Sequence, residues 1–253
     1  MVHCPKEEHC QSFRIKDWTI WWVDPHPSGL SWDKWADDNW ASIFNPSTLF
    51  KDDHRSRVGV FRDKDGKIWV SKHFLLQERW WWFRVTSIWF PSLGWIAFSN
   101  IYSLERDGFF TTTPALLIER RLRGMVVNSI LVYPYIEGEL PQEKDGEMIV
   151  DLIYQLHMKN WVCRDPHPLN FLKTNRGLVI LDPLRFTRTR SRYLKAYDVV
   201  LIRNDISQAF EIYSRFHGMN GWFLLALGGH QLVRGYRRVK HFLQALVGYS
   251  PIK

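Results

Sequence analysis

The stretch Trp161–Leu184, W-V-C-R-D-P-H-P-L-N-F-L-K-T-N-R-G-L-V-I-L-D-P-L, decides how the rest of the chain is read. Asp165 and Asn170 stand five residues apart in it. Two short apolar runs follow, Phe171–Lys173 and Leu178–Leu181, and Asn175-Arg176-Gly177 between them is a hairpin turn signal. The second run ends on Asp182. A loop and the end of the hairpin after it can bring Asp165, Asn170 and Asp182 to one point. The plainer alternative is a surface loop in which Asp165 and Asn170 only shape turns and Asp182 is a cap.

The Asp-to-Asn spacing is that of a kinase catalytic loop, H-R-D-L-x-x-x-N. Arg164 precedes the Asp as in that motif, but Cys163 stands where the motif has His. Asp182 falls where a kinase carries the Asp of D-F-G. Phosphoryl transfer needs a carboxylate beside the attacking hydroxyl and oxygen ligands for Mg²⁺ bridging the phosphates. Asp165 is the candidate base, and Asn170 and Asp182 are the candidate metal ligands.

Upstream, residues 146–158 place Ile149, Leu152, Ile153 and Leu156 on one helical face, with Asn160 as the left-handed residue that ends the helix. Leu116–Arg120 and Ser129–Tyr135 read as strands. The second runs into Pro134 and Glu137-Gly138, which resembles a hinge between lobes, where backbone groups can hydrogen-bond an adenine. Residues 95–107 read as a helix closed by Gly108. Arg57–Arg62 and Lys67–Phe74 alternate like strands, with Asp65-Gly66 as the connecting turn. Lys72, near the end of the second, either points between lobes at nucleotide phosphates or is an exposed strand lysine. Ser31–Ser42 reads as a short helix capped by Ser31. Downstream, Arg185–Lys195 is strongly basic, and residues 198–216 and 222–247 read as helices.

The composition, 45% hydrophobic and 24% charged over 253 residues, supports a substantial core and excludes disorder. Net charge is +8, which calls for an anionic partner. Fourteen Trp is a heavy load: some can pack the core, and Trp also favours membrane interfaces and carbohydrate-like surfaces, where one edge stays wet. The three Cys make no disulfide framework. Cys4 and Cys10, among His3 and His9, read as a metal site or, lacking a second half, as a mobile terminus. Residues 1–17, with charges of both signs and no apolar core, do not read as a signal peptide. The one long uncharged run, Val85–Leu104, is about long enough to span a bilayer, but Pro91, Gly94 and Asn100 argue for an interfacial segment or a buried helix.

The chain resembles the bacterial lipopolysaccharide core sugar kinases, the heptose and Kdo kinases, over roughly residues 48–215. The resemblance rests on D-K-D-G-K-I-W-V-S-K, E-R-D-G-F at 105–109, I-L-V-Y-P-Y-I-E-G, Q-L-H at 155–157, R-D-P-H-P-L-N-F and I-L-D-P. It implies an α+β, two-lobed protein-kinase-like fold: an N-terminal Trp-rich extension (1–45), a small antiparallel-sheet lobe for nucleotide (46–135) and a helical lobe (136–253). It implies ATP and Mg²⁺ as cofactors, with Lys72 on the phosphates, Glu137 in the hinge, Asp165 as base, and Asn170 and Asp182 on the metal. Arg164 and His167 would support the loop or meet the acceptor. Asp205, in R-N-D-I, would be the buried aspartate that braces the loop. The implied acceptor is an anionic glycolipid, the lipopolysaccharide core, met in the cytoplasm by an enzyme peripheral on the inner membrane, with no nucleic acid partner.

Two features depart from that pattern. No G-x-G-x-x-G precedes Arg57, where F-K-D-D-H-R-S stands instead. The helix that should offer a Glu to Lys72 has Ala97 or Asn100 there, and Glu78 is the candidate substitute. An inactive nucleotide-binding module, or a kinase for a soluble compound or a protein, therefore stays open beside the glycolipid kinase.

Overall fold

The computed structural model describes residues 10–23, 31–113, 116–217 and 221–246, with side chains described to residue 215 and over 221–233 in the last two helices. The chain divides into two compact units, one of residues up to 139 plus 174–184, the other of 140–173 plus the residues from 185 on. Cys4, His3 and His9 lie outside the described residues.

The first unit contains β1 (Gln11–Ile15), β2 (Trp18–Trp22), α1 (Trp32–Phe44), β3 (Thr48–Asp52), β4 (Ser56–Arg62), β5 (Ile68–Phe74), α2 (Leu75–Arg79), α3 (Trp81–Thr86), α4 (Leu93–Arg106), β6 (Leu116–Leu122) and β7 (Met125–Pro134). Its strands form one antiparallel sheet in the order β1-β2-β6-β7-β5-β4-β3. Alternation along the strands sorts the core into two faces. Leu116, Ile118, Ile130, Val132 and Trp69 pack with Trp32, Trp35 and Ile43 of α1. Leu117, Leu131, Tyr133 and Val70 pack with Trp95, Phe98 and Ile101 of α4. The sheet is therefore covered on both faces. Gly94 lets α4 approach β7: a Cβ there would lie 2.0 Å from Ser129 Oγ.

The described part of residues 1–45, residues 10–23 and 31–45, does not stand apart as an extension. Ile20 of β2 pairs with Ile118 of β6, and α1 supplies one wall of the core. Asp63, in the β4–β5 turn, ties that wall down. Its carboxylate accepts from Trp35 Nε1 at 3.3 Å, Trp69 Nε1 at 2.6 Å, and the Asp65 and Lys67 amides at 3.0 and 2.8 Å. Burial raises its pKa, but these donors outweigh burial and hold it below the usual value.

The uncharged run splits. Its later half is α4, buried through Trp95, Phe98, Ile101 and Leu104, which is the buried-helix alternative. In its earlier half Ile88, Trp89, Phe90 and Pro91 are exposed, whereas Ser87 and Ser92 are buried. No helix among the described residues is long and apolar enough to cross a membrane.

The second unit is mostly helical. α5 (Gly146–Met158) leads through β8 (Trp161–Val162) to the Asp165 loop. Strands β9 (Phe171–Thr174) and β10 (Gly177–Ile180) carry the chain over to the first unit. It returns at β11 (Thr187–Arg188), which pairs with β8, and continues as α6 (Arg192–Ile202), α7 (Ala209–His217) and α8 (Gly221–Leu246). The expected helix 198–216 is two helices: α6 ends in a turn where the Asn204 and Asp205 amides bond the Leu201 and Ile202 carbonyls. Together the units make the α+β class expected of a protein-kinase-like fold, an antiparallel-sheet unit and a helical unit.

Candidate functional site

The first unit holds Lys72 and Asp182. Lys72 sits in the middle of the sheet, paired with Val58 on one side and Leu131 on the other, and is only 8% exposed. A buried ammonium needs a partner. Lys72 Nζ meets Asp182 Oδ2 at 2.7 Å. Asp182 is carried there by β10, whose Ile180 bridges Thr111 and whose Ile180 amide bonds the Phe110 carbonyl at 2.9 Å. Burial, reinforced by the Asp182 charge, pushes the Tyr133 phenol up. Asp182 keeps its second oxygen only 3.4 Å from the Leu184 amide, a weak contact.

The missing helix Glu is explained by what stands in its place. Asn100 of α4 donates from Nδ2 to the Pro183 carbonyl at 2.8 Å, so α4 grips the residue after Asp182 and leaves Lys72 to that carboxylate. Glu78 does not substitute: it accepts from Asn128 Nδ2 at 2.6 Å. The β3–β4 connection is a tight turn. The Asp53 carboxylate caps it, accepting from the Arg55 and Ser56 amides at 2.7 Å each. Burial opposes ionisation of Asp53, but these amides and Lys51 prevail and bring it to about 2. His54 and Arg55 sit in that turn where a glycine loop would be. Glu137, beyond β7, is exposed.

The second unit holds the loop. Its foundation is Asp198 of α6, 1% exposed. Asp198 accepts from the Cys163 amide at 2.6 Å and the Arg164 amide at 2.8 Å, and lies 3.2 Å from His157 Nε2. His157 Nδ1 is 2.7 Å from the Tyr213 hydroxyl. Arg164 adopts φ +59°, a left-handed conformation of the kind that costs about 1–3 kcal/mol. The two amides pinned by Asp198 hold it. Asn160 is also left-handed at φ +63°, as its place at the end of α5 requires. Burial, then the Asp198 and Asp165 charges, push the Cys163 thiol far above its usual value, so this Cys is inert packing.

Asp205 was the expected brace, and Asp198 has that place. Asp205 lies past the end of α6, a third exposed, with Oδ1 3.6 Å from His167 Nε2. The sequence did carry a signal: Asp198 is followed by Val199 and Val200 on an apolar helix, and a carboxylate there needs donors.

Above this floor the loop turns. The His167 amide and Asn170 Nδ2 both donate to the Asp165 carbonyl at 2.8 Å, and the Leu169 amide donates to His167 Nδ1 at 3.1 Å. Asn170 therefore spends its amide nitrogen on the loop and presents its carbonyl oxygen elsewhere. The Asp165 carboxylate is exposed, 3.4 Å from Arg185 Nη1. Each unit carries one oxygen group of a kind that suits a hard cation such as Mg²⁺, the Asn170 carbonyl in the second and the Asp182 carboxylate in the first. Among the described residues no three of His, Cys, Asp and Glu gather as a metal cluster.

No family model matches the chain, and no curated protein matches it. Solved structures do resemble it. One is titled WaaP in complex with acyl carrier protein: 14% identity, 88% of this chain and 98% of that one, TM-score 0.48. Another is the amicoumacin kinase hAmiN in complex with AMP-PNP, Ca²⁺ and Ami: 14% identity, 82% and 78% covered, TM-score 0.43. A third is the Rio2 kinase–ADP/Mg²⁺-phosphoaspartate complex from Chaetomium thermophilum: 13% identity, 88% and 72% covered, TM-score 0.46. At these identities and TM-scores the likeness does not extend to substrate or residue roles.

Proposed function

We propose that the chain is an ATP- and Mg²⁺-dependent phosphotransferase that phosphorylates a sugar hydroxyl, heptose or Kdo, of an anionic glycolipid, the lipopolysaccharide core, at the cytoplasmic face of the inner membrane. The observation that carries this reading is the buried Lys72 paired at 2.7 Å with Asp182 at the end of the I-L-D run. A lysine held inside a sheet, against a carboxylate that is 38% exposed, suits a group that binds phosphate when nucleotide arrives. In this reading Lys72 binds the phosphates. Glu137 and Gly138 offer backbone to the adenine, and His54 and Arg55 stand in for the glycine loop. Asp165 accepts or orients the proton of the attacking hydroxyl. Asn170 and Asp182 hold Mg²⁺, which when bound neutralises charge on the transferring phosphoryl group. Arg185 pairs with Asp165 until an acceptor replaces it. Arg164 and His167 support the loop and reach toward the acceptor.

The test is in two parts. Purified chain should turn over ATP with Mg²⁺ on core lipopolysaccharide, and Asp182→Asn and Asn170→Ala should abolish this while both variants melt like wild type. Mass spectrometry of the core from a deletion strain should show one phosphate fewer. Wild-type turnover in both variants at low Mg²⁺ would end the assignment. A second reading, a nucleotide-binding module without turnover, draws on Asn100 where a Glu would stand. It predicts calorimetric ATP binding with no phosphate transfer to any hydroxyl.

A further inference from the structure

Residues 79–91, R-W-W-W-F-R-V-T-S-I-W-F-P, present a surface that folding leaves uncovered. Trp80, Trp81, Trp82, Trp89 and Phe90 are 57%, 68%, 59%, 70% and 64% exposed. α3 buries no residue at all. Trp95, four residues beyond the run, is 5% exposed, so the same sequence neighbourhood fills the core and stops. Contiguous apolar surface of this kind marks a binding face.

The segment is nonetheless fixed. Ser87 Oγ accepts from the Val126 amide at 2.8 Å and donates to the Arg84 carbonyl at 2.6 Å. Arg84 Nε donates to the Gln77 carbonyl at 2.8 Å, and Asn128 Nδ2 reaches Glu78 at 2.6 Å. The bond to Val126 seats the aromatic segment beside the β6–β7 turn. That turn, R-R-L-R-G over 120–124, adds Leu122, 55% exposed, and Arg123, also exposed. Arg79 is exposed at the other end. Neither Arg79 nor Arg123 has an ion pair among the described residues. No Asp or Glu occurs between Arg79 and Leu104 or between Arg120 and Ile136, and the flanking Glu78 and Glu119 are bonded to Asn128 and Arg121.

We infer that Trp80–Phe90 and the Arg120–Gly124 turn form a docking surface for an anionic phospholipid bilayer. Tryptophan has an apolar body and one N–H, and favours the headgroup level. Arg79 and Arg123, neither with an ion pair among the described residues, match an anionic leaflet, while Arg120 lies 4.0 Å from Asp17 and Arg121 3.1 Å from Glu119. The aromatic part gives binding that survives salt, and the arginines give the preference for anionic lipid. Trp95, 5% exposed, is not part of this surface. The inference deepens the proposed glycolipid acceptor by naming the face that meets its bilayer.

The experiment is co-sedimentation of the full chain with vesicles of phosphatidylcholine alone or mixed with phosphatidylglycerol, at low and high salt. The expected result is binding to the mixed vesicles, weakened but not removed by salt. A Trp81→Ala/Trp82→Ala/Trp89→Ala variant should partition at least about tenfold more weakly. Arg79→Ala and Arg123→Ala should each lose about fivefold on mixed vesicles and nothing on neutral ones. Brominated phospholipid should quench wild-type tryptophan fluorescence more than that of the triple variant. Absence of vesicle binding by the intact chain, or a triple variant that melts and binds like wild type, overturns the inference and gives the patch to a protein partner. Phosphate transfer to the delipidated core oligosaccharide separates the two claims. Activity without vesicle binding sinks the surface alone, and vesicle binding without activity sinks the proposed function alone.

Discussion

Within the second unit, the floor beneath the Asp165 loop and the rim above it are built on opposite terms. The floor is Asp198, His157, Tyr213 and Cys163, each 2% exposed or less, with the Asp198 oxygens bonded to two loop amides. The rim is Asp165, Asn170, His167 and Arg185. Its ion pairs are long, at 3.4 and 3.6 Å, and both partners of the Asp165–Arg185 pair are more than half exposed. A buried, bonded carboxylate is worth most to stability, because removing it orphans its donors. An exposed one is worth little to stability and is available to a substrate. One loop thus keeps its rigidity below and its proposed chemistry above.

The sharpest way to break this contrast is Asp198→Ala. It leaves the Cys163 and Arg164 amides without an acceptor and should cost about 3–5 kcal/mol in urea unfolding, a large part of a domain's stability. An unchanged midpoint would mean the floor does not hold the loop. Asp165→Asn should do the reverse: turnover down by roughly 10²–10⁴-fold with wild-type melting and retained ATP binding by calorimetry. Loss of ATP binding would move Asp165 into the floor. Arg185→Ala should shift stability by less than about 1 kcal/mol, since its ion pair is exposed. Cys163 sharpens the contrast without a mutation. Its thiol is pushed up, so at mildly alkaline pH it stays protonated. Native protein should therefore resist alkylation at Cys163 in peptide mapping, whereas protein unfolded in urea is labelled.

Much of this was legible before folding. The apolar face of residues 146–158 gave α5 its bounds, because helix period is a local signal. The Asp65-Gly66 turn and the strands around it were equally local. What escaped reading was long-range. Nothing in Trp18–Trp22 announces that it will pair with β6 a hundred residues on, which is why the first 45 residues read as a separate extension. Asp198 and Asp205 are both aspartates near the end of one apolar stretch. Choosing between them required knowing that the helix turns at Ile202. The tryptophans were the hardest case. Trp35 and Trp81 both stand near other tryptophans, and packing on the sheet makes the first core while the second stays at the surface.

Asp63 has a consequence for the order of assembly. Its carboxylate collects donors from 2, 4 and 6 residues away, at Asp65, Lys67 and Trp69, and one from 28 residues away, at Trp35. Closing the short loops costs little entropy and closing the long one costs more. The β4–β5 hairpin therefore sets the carboxylate in place first, and α1 arrives at an acceptor already oriented. Truncating Trp35 should then speed unfolding far more than it slows folding, whereas disturbing the turn should slow folding itself.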